Sequence, residues 1–146
     1  THIATGFVLS LVSFASIANV TEFTLDNQMK ILVKQDNRAP VVVHQVWYRV
    51  GSHFEHSGKT GISHILEHMM FKGTKDLNPG EFSKIVSKMG GSENAFTSTD
   101  FTAYYQVVGK QHLSEVMRLE SDRMRNIILT DEEFIKERDV VTEERR

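Results

Sequence analysis

The sequence predicts an α+β domain with helices packed on a mainly antiparallel sheet. Three observations predict it. Short β-branched and aromatic runs occur in neighbouring pairs joined by brief polar turns, as antiparallel strands require. Between and after them lie segments whose apolar residues recur every three or four positions, the period of a helix packed on one face. The resulting order, ββ(β)ααββαα, segregates strands and helices too much for an alternating parallel sheet.

The first strands are residues 21–25 and 30–34, with Asp26-Asn27-Gln28 as a tight turn. Asn27 tolerates a positive φ and Gln28 does so less readily, so the turn is expected to carry strain. After the loop Asp36-Asn37-Arg38-Ala39-Pro40, residues 41–50 read as a long strand. Its run Val41-Val42-Val43-His44-Gln45-Val46-Trp47-Tyr48 suggests a central position with both faces partly covered. Residues 51–61 are polar and glycine-containing, hence a loop.

Residues 62–71 have helical spacing through Ile62, Ile65, Leu66, Met69 and Met70. Asn78-Pro79-Gly80-Glu81 predicts a second helix start, with Asn78 as N-cap and Pro79 in the first position. Its apolar face is Phe82, Ile85, Val86 and Met89, and Gly90-Gly91 ends it. Two strands follow around Asp100, at residues 94–99 and 101–108. Phe101, Ala103, Tyr105 and Val107 share one face of the second. Residues 112–128 form an amphipathic helix through Leu113, Val116, Met117, Met124 and Ile127. Thr130-Asp131-Glu132-Glu133 is a capping box that opens a last helix running to the end of the chain.

Composition narrows the function classes. The chain has 146 residues, 40% hydrophobic and 25% charged, ordinary values for a soluble domain. A formal net charge of -2, with scattered Lys and Arg, argues against a nucleic-acid partner. The chain has no cysteine, which excludes disulfides, a thiolate zinc site and a Cys nucleophile. His and Glu are then the main stock of metal ligands.

The N-terminal zone stands apart. Residues 3–20 carry no charge. The apolar core at 7–15 is followed by Ser16-Ile17-Ala18, small residues at alternate positions. That pattern resembles a signal peptide cleaved after Ala18, although no basic segment precedes it. An uncleaved membrane anchor and a buried element of the domain are the other two readings. Residues 1–20 are therefore expected to be a signal peptide or anchor, and the protein exported, in a bacterium to the periplasm; a membrane partner follows only if the segment is an uncleaved anchor. Residues 21–146 are expected to be part of a catalytic domain: the chain starts without Met and stops inside a helix, as a fragment of a longer protein would.

The chemistry centres on His64-Ile65-Leu66-Glu67-His68. Residues four apart lie on one helix face, so both imidazoles reach one ion. Zinc takes nitrogen ligands and, in catalytic sites, three protein ligands plus water. Glu67 projects towards the same side, placed to accept a proton from zinc-bound water rather than to bind the ion. This is the zincin layout with Glu moved one place, H-x-x-E-H. The ordinary reading of such residues is a pair of satisfied surface or core histidines. A third ligand must come from elsewhere. Glu137 and Glu144 are seven apart, two turns along one face of the last helix. Glu144 suits the metal, and Glu137 suits a supporting position that orients a ligand or assists the base. Glu143 is a rival ligand, pointing roughly 100° away. On spacing alone, a Glu of an acidic helix is usually just solvated.

The stretch from Gly61 through His64, Glu67, His68, Phe71 and Lys72 to Thr74 resembles the zinc-binding segment of the insulinase/pitrilysin family, the inverzincins. The bacterial branch similar to the mitochondrial processing peptidase fits best. Asn94-Ala95-Phe96-Thr97-Ser98 resembles that family's substrate-edge strand, and residues 137–144 its distal ligand helix. The resemblance covers residues 21–146. It implies one Zn2+ per chain held by His64, His68 and Glu144, with Glu67 as general base and Glu137 as supporting carboxylate. It implies that Asn94 and Ala95 contact a substrate peptide adding as a strand to a sheet edge; from residues alone, Asn94 also reads as a turn residue after Gly90-Gly91.

There are departures. Gln28 stands where the family usually has Gly, in a hairpin distant from the site. Family members also have two similar halves closing like a clamshell, and this chain would be part of one half. The second half, or a partner subunit, supplies groups that polarise the scissile carbonyl. The expected function is therefore a zinc endopeptidase acting on peptides or unfolded segments, with the isolated chain nearly inactive. The alternatives are a non-catalytic partner subunit or scaffold of the same fold, and a generic α+β binding domain with accidental histidine spacing.

Overall fold

The computed structural model describes residues 20–145, so the signal-peptide, anchor and buried-element readings of the first segment lie outside the described residues. The chain divides into two compact units, Thr1–Ala39 and Pro40–Arg146.

Within the first unit, β1 (Val20–Thr24) and β2 (Lys30–Lys34) form an antiparallel hairpin. The turn closes through Gln28 N–H donating to Leu25 O, and the Asn27 side chain accepts the Met29 N–H. The left-handed residue is Gln28, at φ 68°, and not Asn27. The expected strain thus falls on the residue less suited to it.

The second unit is a three-stranded sheet covered by helices. β3 (Val41–Tyr48), β4 (Ser92–Thr97) and β5 (Thr102–Gly109) are antiparallel, in the order β3-β5-β4. Among the described residues, β5 is the central strand and β3 an edge. This corrects the expected central position of residues 41–50. β-branched runs report strand propensity rather than place in a sheet; Val41, Val43 and Trp47 stay exposed.

The face of β5 expected from its alternation forms, and it is the outward one. Phe101, Ala103, Tyr105 and Val107 do alternate together, but the helices cover the other side, Thr102, Tyr104, Gln106 and Val108. The outward side carries Trp47, Phe96, Phe101 and Tyr105 as a cluster of ring contacts.

Four helices follow: α1 (Ile62–Met69), α2 (Glu81–Lys88), α3 (Leu113–Asn126) and α4 (Asp131–Glu144). α2 starts at Glu81 and not after Asn78. Gly80 has φ 72°, a left-handed conformation that cannot belong to the first turn. Asn78 still contributes, because its backbone and side-chain N–H groups donate to Glu81 Oε2. Gly90, at φ 71°, ends α2, with Gly91 N–H donating back to Val86 O. Thr130 caps α4 as expected, accepting the Glu133 N–H.

The core is Phe82, Val86, Val108, Val116 and Leu119, with Val42, Leu77, Ile85, Met89 and Leu113 packed against it. α3 turns a different face inward than its apolar spacing suggested. Met117 and Met124 are exposed, while Glu120 and Arg123 are fully buried. The cause is a polar group in the sheet. Gln106 Nε2 donates to Glu120 Oε1 at 2.6 Å, and Arg123 Nε donates to Glu120 Oε2 at 2.9 Å. His44 Nδ1 donates to Gln106 Oε1 at 3.0 Å. The Arg123 guanidinium lies 4.4 Å from the centroid of Tyr104, 4.6 Å from Phe82 and 5.2 Å from Phe71. Three rings and a carboxylate thus replace its water.

Replacing Arg123 by Met leaves the Glu120 charge buried without its partner, at a cost of about 3–5 kcal/mol. Chemical denaturation should show that loss. Arg118→Met, which removes an exposed pair with Glu115, should stay within about 0.5 kcal/mol.

Candidate metal centre

The site is built on α1, which lies against β4 on one side and α4 on the other. α1 begins at Ile62 because Glu55 reaches across the preceding loop: its carboxylate accepts the N–H of Gly61 at 2.7 Å and of Ser63 at 2.9 Å. These donors occupy the helix N-terminus, where backbone N–H groups lack partners and favour negative charge. The two backbone bonds hold the Glu55 carboxyl below its ordinary pKa.

His64 and His68, one turn apart, point towards α4, with their Nε2 atoms 3.2 Å apart. Glu144 Oε2 lies 3.5 Å from His64 Nε2 and 3.6 Å from His68 Nε2. Among the described residues, these three form the cluster able to hold a metal ion. Glu144 rather than Glu143 therefore reaches the imidazoles.

The donor set fits zinc. Tetrahedral ligands at about 2.0–2.2 Å stand roughly 3.3–3.6 Å from one another; the two Glu144 separations fall in that span and the His64–His68 separation, 3.2 Å, lies just below it. The ring orientation matches as well. His68 Nδ1 lies 2.9 Å from Glu137 Oε2. A carboxylate oxygen only accepts, so Nδ1 carries a proton and Nε2 is the nitrogen left to bind a metal.

Glu137 is buried and carries a second contact: Lys72 Nζ lies 2.5 Å from its Oε1. Burial opposes ionisation of Glu137, but the bonds from Lys72 and His68 and their charges outweigh it and hold its pKa below the ordinary value. Lys72 also approaches Glu133 at 3.9 Å.

Glu67, on the same helix, engages β4. Its Oε2 accepts the Thr97 hydroxyl of β4 at 2.5 Å, so the carboxylate lies between helix and strand. Asn94 lies within β4, exposed, which removes the turn reading; its Oδ1 accepts the Ala95 N–H at 2.8 Å. β4 has one partner strand among the described residues, so Asn94 and Ala95 stand on a sheet edge.

Three partners of the site carry no role in the sequence reading: Glu55, Lys72 and Thr97. Lys72 had a local signal, since it follows His68 by four residues and extends the same helical face. Thr97 sits in the quoted strand motif but faces opposite to Asn94, a parity that period-2 alternation makes visible. Glu55 had no signal beyond its acidity.

A histidine-pair helix laid along a sheet, its imidazoles met by a carboxylate from a second helix, is the arrangement that defines the inverted H-x-x-E-H class. Residues 30–146 match the model of the insulinase family, peptidase family M16, and the chain belongs to that family. It is 44% identical over 124 residues to the zinc protease PqqE of Helicobacter pylori, covering 84% of this chain and 28% of that protein. It is 34% identical over 142 residues to subunit 1 of the mitochondrial cytochrome b-c1 complex of Homo sapiens, covering 92% of this chain and 29% of that protein. A crystal structure of a protease from Helicobacter pylori superimposes with a TM-score of 0.85 at 42% identity, covering 88% of this chain and 31% of that one. The chain thus spans less than a third of each of these relatives.

Glu55→Gln should lower the melting temperature above pH 5 and flatten its fall in acid. A carboxylate whose folded pKa is depressed contributes stability above its unfolded pKa, about 4.3, and loses it as pH falls through the folded value. Thermal unfolding of the two proteins from pH 3 to pH 7 measures this, and the curves should converge at the acid end.

Proposed function

We propose that the protein carrying this chain is a zinc-dependent endopeptidase acting on peptides or unfolded segments. The observation that carries this reading is the convergence of His64 Nε2, His68 Nε2 and Glu144 Oε2 within 3.2–3.6 Å, with His68 Nδ1 held by Glu137. In this reading the two histidines and Glu144 hold the ion. Zinc bound there supplies Lewis acidity, polarising the scissile carbonyl and lowering the pKa of a coordinated water to about 7.

The chain's own residues do the rest. Glu67 takes the proton of the attacking water and passes it to the leaving amine nitrogen. Glu137 accepts from His68 Nδ1 and so orients the ring with Nε2 facing the cluster, and Lys72 orients Glu137. The edge of β4 takes the peptide as an added strand, with Asn94 and Ala95 beside its backbone. For that, the Asn94 amide must exchange its bond to the Ala95 N–H for one to the incoming chain. Enclosure of substrate and further stabilisation of the carbonyl oxygen fall to a second homologous half or a partner subunit. The apolar segment at 7–15 supports export of the protein.

A second reading is a supporting subunit of the same fold, favoured by one observation: a relative at 34% identity bears the name of a cytochrome b-c1 complex subunit rather than of a protease. Metal content separates the two. The peptidase reading expects one zinc per chain in the protein purified at its natural length.

In that protein, Glu67→Gln should abolish peptide cleavage while zinc stays bound, and retained cleavage would sink the assignment of the base. Glu137→Gln should weaken zinc binding by about 10–100-fold. Competition with a chromogenic chelator measures that affinity, and an unchanged value would remove Glu137 from the supporting role.

A further inference from the structure

We propose that Thr97 is the positioning residue for Glu67, aiming the carboxylate through its hydroxyl at the end of β4. The inference rests on the peptidase reading and names a residue to which that reading gives no task.

The chain of contacts has a determined direction. Thr102 Oγ1 lies 2.9 Å from Val50 O, and a carbonyl oxygen can only accept. The single hydroxyl proton of Thr102 is therefore committed to Val50. Thr97 Oγ1 lies 3.2 Å from Thr102 Oγ1 and 2.5 Å from Glu67 Oε2. With the Thr102 proton spent, Thr97 has one proton and two candidate acceptors. The nearer one by far is Glu67. Thr97 thus donates to Glu67, and its 3.2 Å contact with Thr102 is packing with no proton of its own.

The backbone makes this arrangement rigid. Thr97 and Thr102 are direct cross-strand partners at the ends of β4 and β5. The Ser98 N–H donates to Phe101 O, closing the turn between them. The N–H groups of Ser52 and His53 donate to Ser98 O and Thr99 O, tying the segment after Val50 to the same turn. Gly51 fits there because a Cβ would stand 2.3 Å from Ser98 O. Thr102 is buried, and Glu67 nearly so. A Glu side chain has three rotatable bonds, and its aim decides whether a proton lies within reach. The Thr97 hydroxyl ties one of its two oxygens to β4, the strand proposed to receive the peptide, so base and substrate edge share one rigid support.

The test uses the protein at its natural length. Thr97→Val keeps the β-branched shape and removes the hydroxyl, whereas Thr97→Ser keeps the hydroxyl. The expected result with an unstructured fluorogenic peptide is a kcat for Thr97→Val lower by about tenfold or more. KM, zinc content and melting temperature should stay at wild-type values, and Thr97→Ser should restore kcat. A crystal structure of zinc-free Thr97→Val should show the Glu67 carboxylate turned away from β4. A kcat within twofold of wild type, or a serine variant as slow as the valine one, overturns the proposal. A Glu67 carboxylate unmoved in zinc-free Thr97→Val overturns it independently of turnover. Absence of cleavage by the wild-type protein would instead refute the peptidase reading, and the zinc-free structure would still decide the role of Thr97.

Discussion

The hydrogen bond between His68 Nδ1 and Glu137 is the interaction on which the candidate centre depends. It does three things at once. It puts the His68 proton on Nδ1, so Nε2 is the nitrogen turned to the cluster. It ties α1 to α4 at a buried point. It also fixes the rotation of α4, and Glu144, seven residues further along, then falls on the same face beside the imidazoles. A helix with two histidines becomes a three-donor centre because a second helix is held in register with it.

That register needs its own support. Lys72, just beyond α1, neutralises Glu137, so a carboxylate can be buried beside a ligand without an unpaired charge. The chain then passes under Arg123, whose guanidinium faces Phe71, Phe82 and Tyr104. Thr74 continues the link by donating to the buried Asp122 of α3. The segment leaving α1 is thus fastened to α4 by charge, to the sheet by aromatic contact and to α3 by a hydroxyl. Glu55 fastens the opposite end through the helix N-terminus. Both ends of the eight-residue α1 are held, as a short helix requires.

Strand and helix types were legible from the residues because period and β-branching are local properties. Both proposed helix pairs formed, with Thr130 and Gly90 acting as the caps that their positions suggested. The misreadings share one physical origin. The inward face of α3 was expected to follow its apolar residues, yet Glu120 and Arg123 occupy the interior, joined there by Gln106 of β5. Their burial rests on mutual hydrogen bonds between elements distant in sequence, which no local pattern records. Likewise the run of valines in β3 marked a strand and misplaced it in the sheet, since exposure depends on which strands pair.

The sequence by itself determined that two histidines and a glutamate lie on one helix, because a 3.6-residue turn makes spacings of three and four into neighbours. It also determined that Glu137 and Glu144 share a face. It left the choice between Glu143 and Glu144 to resemblance. The tertiary structure alone decided which carboxylate oxygen stands 3.5 Å from His64, that Glu137 holds His68 Nδ1 while Lys72 holds Glu137, and that Thr97 meets Glu67. Helical spacing is set by covalent geometry within a few residues. The meeting of α1 with α4 and β4 is set by packing between segments tens of residues apart, where a rotation of one helix by a single residue, roughly 100°, would bring a different side chain to the site.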